Sequence, residues 1–126
     1  MENRKLIRIQ TENNLNEVYA VDEPGAGNAS HAYRISPTGC DEQGNMYPSQ
    51  DISFQNGPRK DPNSIHGVLD TDLLEIVRDR LKGFQSGEFA CRENACALTH
   101  IEEALMWMNK RVTDRAQRGV LGTNNK

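Results

Sequence analysis

Residues 88–118 run without a glycine or a proline, and no other feature of the chain restricts its fold as much. Glycine and proline are the residues that weaken or break helices. A segment of this length lacking both predicts one long helix, about 45 Å from end to end at 1.5 Å per residue. Leu98, Ile101, Leu105, Met108 and Val112 recur along it in alternating steps of three and four, the seam of a helix packed lengthwise on a partner. A second register, Ala90, Ala97 and Ala104, offers small residues to an approaching backbone and ends in Arg111 and Arg118.

Upstream, Leu69, Leu73, Ile76, Leu81 and Phe84, with Leu74 and Val77 beside them, form the apolar stripe of an amphipathic helix. Asp70, Thr71 or Asp72 can cap its start, Glu75 extends its acidic first turn, and Lys82-Gly83 suits its end. Joined through Gln85-Ser86-Gly87, the two segments predict a helical hairpin with the shorter helix folded back on the longer. The shorter cannot cover the whole seam. A second subunit is therefore expected to cover the rest.

Before residue 60 the helical period is absent, and short strands bounded by turn residues take its place. Candidates are Lys5–Gln10, Glu17–Asp22, His31–Ser36 and Ile52–Gln55, each rich in β-branched or aromatic residues. The turns fall at Glu12-Asn13-Asn14, at Pro24–Asn28 and in the polar stretch Pro37–Gln50. The expected fold is α+β: a small N-terminal antiparallel sheet, then a two-helix hairpin with one long C-terminal helix, in an oligomer. A chain of 126 residues suits one domain. Its regions are the sheet over 1–60, the hairpin over 67–119 and a tail over 120–126.

Several function classes are disfavoured. No apolar run approaches the ~20 residues that cross a bilayer, and the opening MENRKLIRIQTENN lacks the apolar h-region of a signal peptide. Cys40, Cys91 and Cys96, an odd number, fit reduced thiols in a cytosol better than a disulfide framework. Arg92 beside Cys91 could favour a reactive thiolate, but a small buried thiol is the commoner role. His31, His66 and His100 have no partners at metal-ligand spacing, so no metal and no cofactor are expected. Gly25–Ser30 resembles a phosphate-binding glycine loop, yet the strand-like HAYRIS that follows marks it as a hairpin loop. The adjacent carboxylates Glu102 and Glu103 point about 100° apart on a helix, a poor arrangement for an acid/base pair. Glu103 is expected to hold a basic group on the partner helix. No catalytic residue is assigned.

The net charge of −3 weighs against a polymer of nucleic acid as partner, but it averages unlike parts. Residues 1–60 carry six basic and eight acidic groups, whereas residues 104–126 carry five basic groups against Asp114 alone. Within that basic end Arg111, Arg115 and Arg118 recur at i, i+4 and i+7, on one helical face. Three guanidinium forks there suit a phosphate or pyrophosphate; they equally suit a solvated helix end facing the C-terminal dipole. Phe84, at the joint, is either core or a stacking surface. Asn94 lies on the extrapolated seam, where an amide needs partners from a ligand or another subunit.

These pieces together look familiar. FQNGP (54–58), GFQSG (83–87) and FACRENACALT (89–99), continuing into IEEALMW (101–107) and RVTDRAQRGVLGT (111–123), resemble the phage Thoeris anti-defence proteins of the first type over residues 52–123. The helical part is similar to the phage sponges that absorb the cyclic oligonucleotides of CBASS immunity. Residues 1–50 match only in their strand-rich character and the PGAG loop.

The resemblance implies a non-catalytic protein that sequesters the cyclic ADP-ribose isomer made by bacterial TIR-domain proteins, in the cytoplasm of the infected host. It implies assembly as a homodimer or a hexamer, and extends the candidate ligands to cyclic di- and trinucleotides. It carries over Phe84 as the stacking surface for adenine, with Asn94 and Arg111 as polar contacts. Arg59 and Arg115 join them because a pyrophosphate needs converging cations. The competing readings are a nucleotide-degrading enzyme and a small oligomeric phage protein that binds nucleic acid. Geometry adds one condition: Asn94 and Arg111 are about 25 Å apart along a straight helix. A single ligand touching both must take them from different subunits whose long helices run antiparallel.

Overall fold

The computed structural model describes residues 3–126; the first two residues of the expected sheet region lie outside them. The order is β1 (Arg4–Lys5), β2 (Asn16–Ala20), β3 (Ala32–Pro37), β4 (Gln50–Ser53), α1 (Asp70–Gln85) and α2 (Arg92–Gln117). This is an α+β fold, a four-stranded antiparallel sheet followed by two helices. The chain divides into two compact units. One carries the sheet and reaches Gly57, with Asn63–Gly67; the other joins Pro58–Pro62 to Val68–Lys126.

In the sheet unit the strands lie in chain order, β1-β2-β3-β4, each antiparallel to the next. Tyr19 pairs with Arg34 across β2 and β3, and Tyr33 with Ile52 across β3 and β4. Strand β1 is shorter than the alternating KLIRIQ suggests. Leu6 N–H still donates to Val18 C=O at 2.8 Å. At the next rung, however, the Arg8 guanidinium takes the Asn16 carbonyl at 3.1 Å, and the chain leaves β2. Strand β2 stops at Ala20, two residues before the expected end. Just past it Asp22 turns its carboxylate onto the backbone N–H groups of His31 (2.9 Å) and Ala32 (3.2 Å). The Pro24–Asn28 loop between β2 and β3 contains a single 3-10 turn, Ala26–Asn28, with Gly27 and Asn28 at positive φ. It is a connection between strands, as its sequence context indicated. Beyond β4, Asn56 and Ile65 exchange backbone hydrogen bonds at 2.9 Å. Gly67 sits so near Ser53 and Phe54 that a Cβ there would fall 2.5 Å from backbone atoms.

In the helical unit α1 and α2 form the expected antiparallel hairpin. Leu69 occupies the N-cap position of α1 and donates its N–H to the Asp72 carboxylate at 2.8 Å, so the cap is supplied from the third helical residue. Helix α2 begins at Arg92, later than the run free of glycine and proline allows. There Cys91 is the N-cap, its Sγ accepting from Asn94 N–H at 3.4 Å. Expected as a buried thiol, Cys91 is exposed, as are Cys40 and Cys96. The Gln85 side chain closes the joint: its Nε2 donates to Cys91 C=O at 3.1 Å and its Oε1 accepts from Cys91 N–H at 3.0 Å. Leu98, Ile101, Leu105 and Met108 of α2 are half-buried, as are Leu73, Leu74 and Leu81 of α1. Arg78 crosses to Glu102 of α2 at 2.8 Å and also meets Glu75 of its own helix at 3.3 Å. Glu102, not Glu103, therefore holds the basic group of the other helix.

Burial is sparse. Ala20 is the one buried hydrophobic residue among the described residues. The chain exposes 9857 Å², above the roughly 8,200 Å² that two separate compact bodies of half its mass would show. Ile76, Phe89, Met106 and Trp107 are all exposed. Among the described residues no helix is long and apolar enough to cross a membrane.

The Asp22 carboxylate is held below the ordinary carboxylate range, first by the His31 backbone N–H and then by that of Ala32, against the opposing effect of burial. A depressed folded value stabilises above the unfolded pKa of about 3.9, and the contribution disappears as pH falls through the folded one. Asp22→Asn is expected to lower the thermal midpoint at neutral pH and to flatten its decline below about pH 4. Circular dichroism melts across that range check it.

Candidate functional site

The candidate residues collect at the two ends of the hairpin. At the joint, Phe84 lies in the last turn of α1 and Asn94 in the first turn of α2, each within a turn of the Gln85 to Cys91 clasp. Phe84 is 40% exposed, so its ring is not core. The Arg80 guanidinium lies 5.5 Å from its centroid, within cation–π range. Asn94 is half-buried. An exposed aromatic face, a cation and a side-chain amide are thus present together at this end.

Arg111 lies at the opposite end, exposed in the later turns of α2. With Met108 and Val112 it borders an open cavity of about 460 Å³ whose other wall is Leu69, Asp70 and Thr71 at the start of α1. The sequence reading assigns this wall, Leu69, Asp70 and Thr71, to the stripe and the cap of the helix, not to a site. The hairpin itself was the signal for it, because an antiparallel return sets the first turn of α1 beside the later turns of α2.

The three arginines of the basic face do not converge. Arg115 is only 9% exposed, and its guanidinium donates to three tail carbonyls, Asn125 (2.9 Å), Val120 (3.0 Å) and Thr123 (3.1 Å). Arg118 turns to Asp114 at 3.0 Å and to the Lys126 carbonyl at 2.6 Å. In this conformation Arg115 is a structural clasp for residues 120–125, and Arg111 is the guanidinium left open to a ligand. Arg59, also exposed, lies along the same tail. Lys60 N–H donates to Gly122 C=O at 3.2 Å, and a Cβ on Gly122 would come 2.9 Å from Arg59 Nε. Glycine at 122, with φ of 80°, is what allows that approach.

Catalytic geometry is not assembled by the carboxylates. Glu102 is engaged by Arg78, whereas Glu103 is exposed and 4.0 Å from His100 of its own helix. The carboxylates of Glu102 and Glu75, in that order, hold the Arg78 guanidinium above its ordinary value. Among the described residues no group of histidine, cysteine or acidic side chains is placed to hold a metal ion.

Residues 46–113, which span β4, the segment after it and nearly all of the hairpin, match the family model described as the Acb2/Tad1 hairpin domain. The chain belongs to this family. Among curated relatives, Thoeris anti-defense 1 of Bacillus phage SBSphiJ7 is 52% identical over 75 residues, which cover 60% of this chain and 52% of that protein. The chain thus spans about half the length of the curated relative it matches. Strands β1, β2 and β3 lie outside the hairpin-domain match, whereas Phe84, Asn94, Arg111 and Arg59 lie within it.

The Arg115 clasp carries a test of its own. Charge-assisted hydrogen bonds contribute about 1.5–3 kcal/mol each when buried, less where water can replace them. Arg115→Ala is expected to raise amide exchange over residues 120–125 by about tenfold or more, while the middle of α2 keeps its protection. Hydrogen exchange read by mass spectrometry checks it.

Proposed function

We propose that this protein is a phage anti-defence factor that captures a cyclic ADP-ribose isomer, the signal of bacterial TIR-domain proteins, and holds it unchanged so that Thoeris immunity is not triggered. Family membership and the anti-defence name of the relative support the biological role. The observation that carries the mechanism is the separation of the site into two halves. Phe84, with Arg80 and Asn94, stands at one end of the hairpin and Arg111 at the other, about 25 Å of α2 between Asn94 and Arg111.

Neither half suffices alone. The joint end provides stacking and an amide for a base, and the far end provides cations for a pyrophosphate. A two-fold pairing with antiparallel α2 helices sets the joint of one subunit against the arginine end of its partner, giving two equivalent sites per dimer. The same pairing gives the exposed Phe89, Met106 and Trp107 side chains a surface to cover them. Arg59 adds a cation at the far end, and Arg115 contributes by keeping the tail beside it. Action is in the cytoplasm of the infected host, where the signal is made.

No nucleophile or general base is needed for this role. Silencing a signal requires a dissociation constant below that of the effector, in the nanomolar range or about −12 kcal/mol. Stacking, desolvated guanidinium contacts and exclusion of water together supply energies of that order.

Incubation with a cyclic ADP-ribose isomer, heat denaturation and chromatography of the supernatant should return the intact ligand. Linear ADP-ribose in its place identifies an enzyme and overturns the sponge reading. Parallel titrations with cyclic di- and trinucleotides settle whether this chain shares the ligands of the anti-CBASS sponges. Duplex DNA is expected to show no tight binding.

The two-subunit site has a sharper test. Phe84→Ala and Arg111→Ala, each alone, are expected to weaken binding at least about a hundredfold, the scale of one lost hot-spot contact. Mixed and re-equilibrated, they form heterodimers in which one site combines wild-type Phe84 with wild-type Arg111, and calorimetry should find about a quarter of the wild-type sites restored. No recovery would place both residues in one chain's site and refute the two-fold arrangement.

A further inference from the structure

Helix α1 opens on two aspartates, and one of them does the capping. Asp72 accepts the Leu69 N–H at 2.8 Å, and its own N–H donates to Leu69 C=O at 3.0 Å. Asp70, two residues earlier, is exposed and takes no part in this cap. It lines instead the cavity of about 460 Å³ that Arg111 borders from α2, with Thr71 beside it and Leu69, Met108 and Val112 as the apolar part of the lining. Among the described residues the side chains of Asp70, Thr71 and Arg111 have no hydrogen-bond or ion-pair partner. Elsewhere on the hairpin facing charges do pair, Arg78 with Glu102 and Arg118 with Asp114.

A carboxylate and a guanidinium that border one cavity without meeting set a double demand on whatever enters it. The ligand must present an anion to Arg111 and hydrogen-bond donors to Asp70. A guanidinium donates to phosphate oxygens as a fork, whereas an ionised carboxylate only accepts. A ribose diol is a donor of the required kind, and a carboxylate is the group that dinucleotide sites use to hold ribose. A bare phosphate gains nothing from Asp70, because like charges repel. The helix dipole favours acidic residues in a first turn, but Asp72 serves it as well, and the dipole does not require a carboxylate on a cavity wall across from an open arginine.

We propose that Asp70 is the ribose-recognition residue of the capture site, its carboxylate accepting from the two hydroxyls of the ribose that lies beyond the pyrophosphate held by Arg111, with the Thr71 hydroxyl as a further polar contact. This inference rests on the capture reading above and adds the sugar to it. Cyclisation of ADP-ribose uses the anomeric carbon of its second ribose and an atom of the adenosine part. The second ribose therefore keeps both hydroxyls whichever isomer is formed. Asp70 contributes affinity that the isomers share, and the choice between them falls to the groups that meet the adenosine part, Phe84 and Asn94. By charge it also rejects a ligand that carries a phosphate on that diol.

Calorimetry on the full chain tests it, with a cyclic ADP-ribose isomer and with the analogue that lacks one hydroxyl of that second ribose. Asp70→Ala is expected to weaken the isomer by about tenfold or more, the scale of a hydrogen bond to a charged group, even though it removes a negative charge from beside a bound anion. The wild type should lose a similar factor on going to the deoxy analogue, and Asp70→Ala should lose almost none, because hydroxyl and carboxylate form one contact. Far-UV circular dichroism should show the wild-type spectrum in the variant, since Asp72 supplies the cap. An isomer that binds Asp70→Ala as tightly as the wild type, or more tightly, overturns the proposal and leaves the capture reading standing. A deoxy penalty as large in the variant as in the wild type overturns it too, by placing Asp70 away from the sugar. If the wild type binds no isomer, the capture reading fails and this inference fails with it.

Discussion

Two helices cannot enclose an apolar stripe that is as long as one of them and exposed on both flanks, and that shortage of covering surface governs this protein. Leu98, Ile101, Leu105 and Met108 reach only half-burial against α1, and Met106 and Trp107 stay 71% and 64% exposed. For a single chain this is a deficit, since apolar burial contributes about 25 cal/mol per Å² removed from water. On the proposed reading it becomes the driving force for association. A subunit that completes its core against a copy of itself can also complete a binding site there, and the half-sites at the two hairpin ends are then complementary.

Much of this was legible in the sequence, because helical spacing is a local property. The absence of glycine and proline over 88–118 and the three-four seam gave α2 and the hairpin. Less legible were features decided by one polar side chain competing with the backbone. Strand β1 ends early because Arg8 takes the carbonyl that the next ladder rung would use. Helix α2 starts late because Cys91 caps it and Gln85 holds Cys91. Spacing also fixes the direction in which a side chain leaves a helix, but not what returns to meet it. Arg111, Arg115 and Arg118 do share a face, yet the tail folds back over Arg115 and leaves Arg111 open.

The carboxylate pair shows the same limit. The sequence reading assigns the cation of the other helix to Glu103; which carboxylate meets it depends on the rotation of α2 against α1, which spacing along one helix does not set. The structure selects Glu102. Its partner Arg78 is about a third exposed, so this tie contributes specificity of register more than stability.

The clasp between Gln85 and Cys91 has a kinetic consequence. Both the N–H and the C=O of Cys91 are engaged by the Gln85 side-chain amide, so the last turn of α1 is tied directly to the start of α2 by a two-point side-chain contact. A binding surface spaced in this way has little to rearrange when a ligand arrives, and capture can then approach the rate of diffusional encounter. On the proposed sponge reading, in which the protein competes with a receptor for a newly made signal, the speed of the first encounter matters as much as the lifetime of the complex.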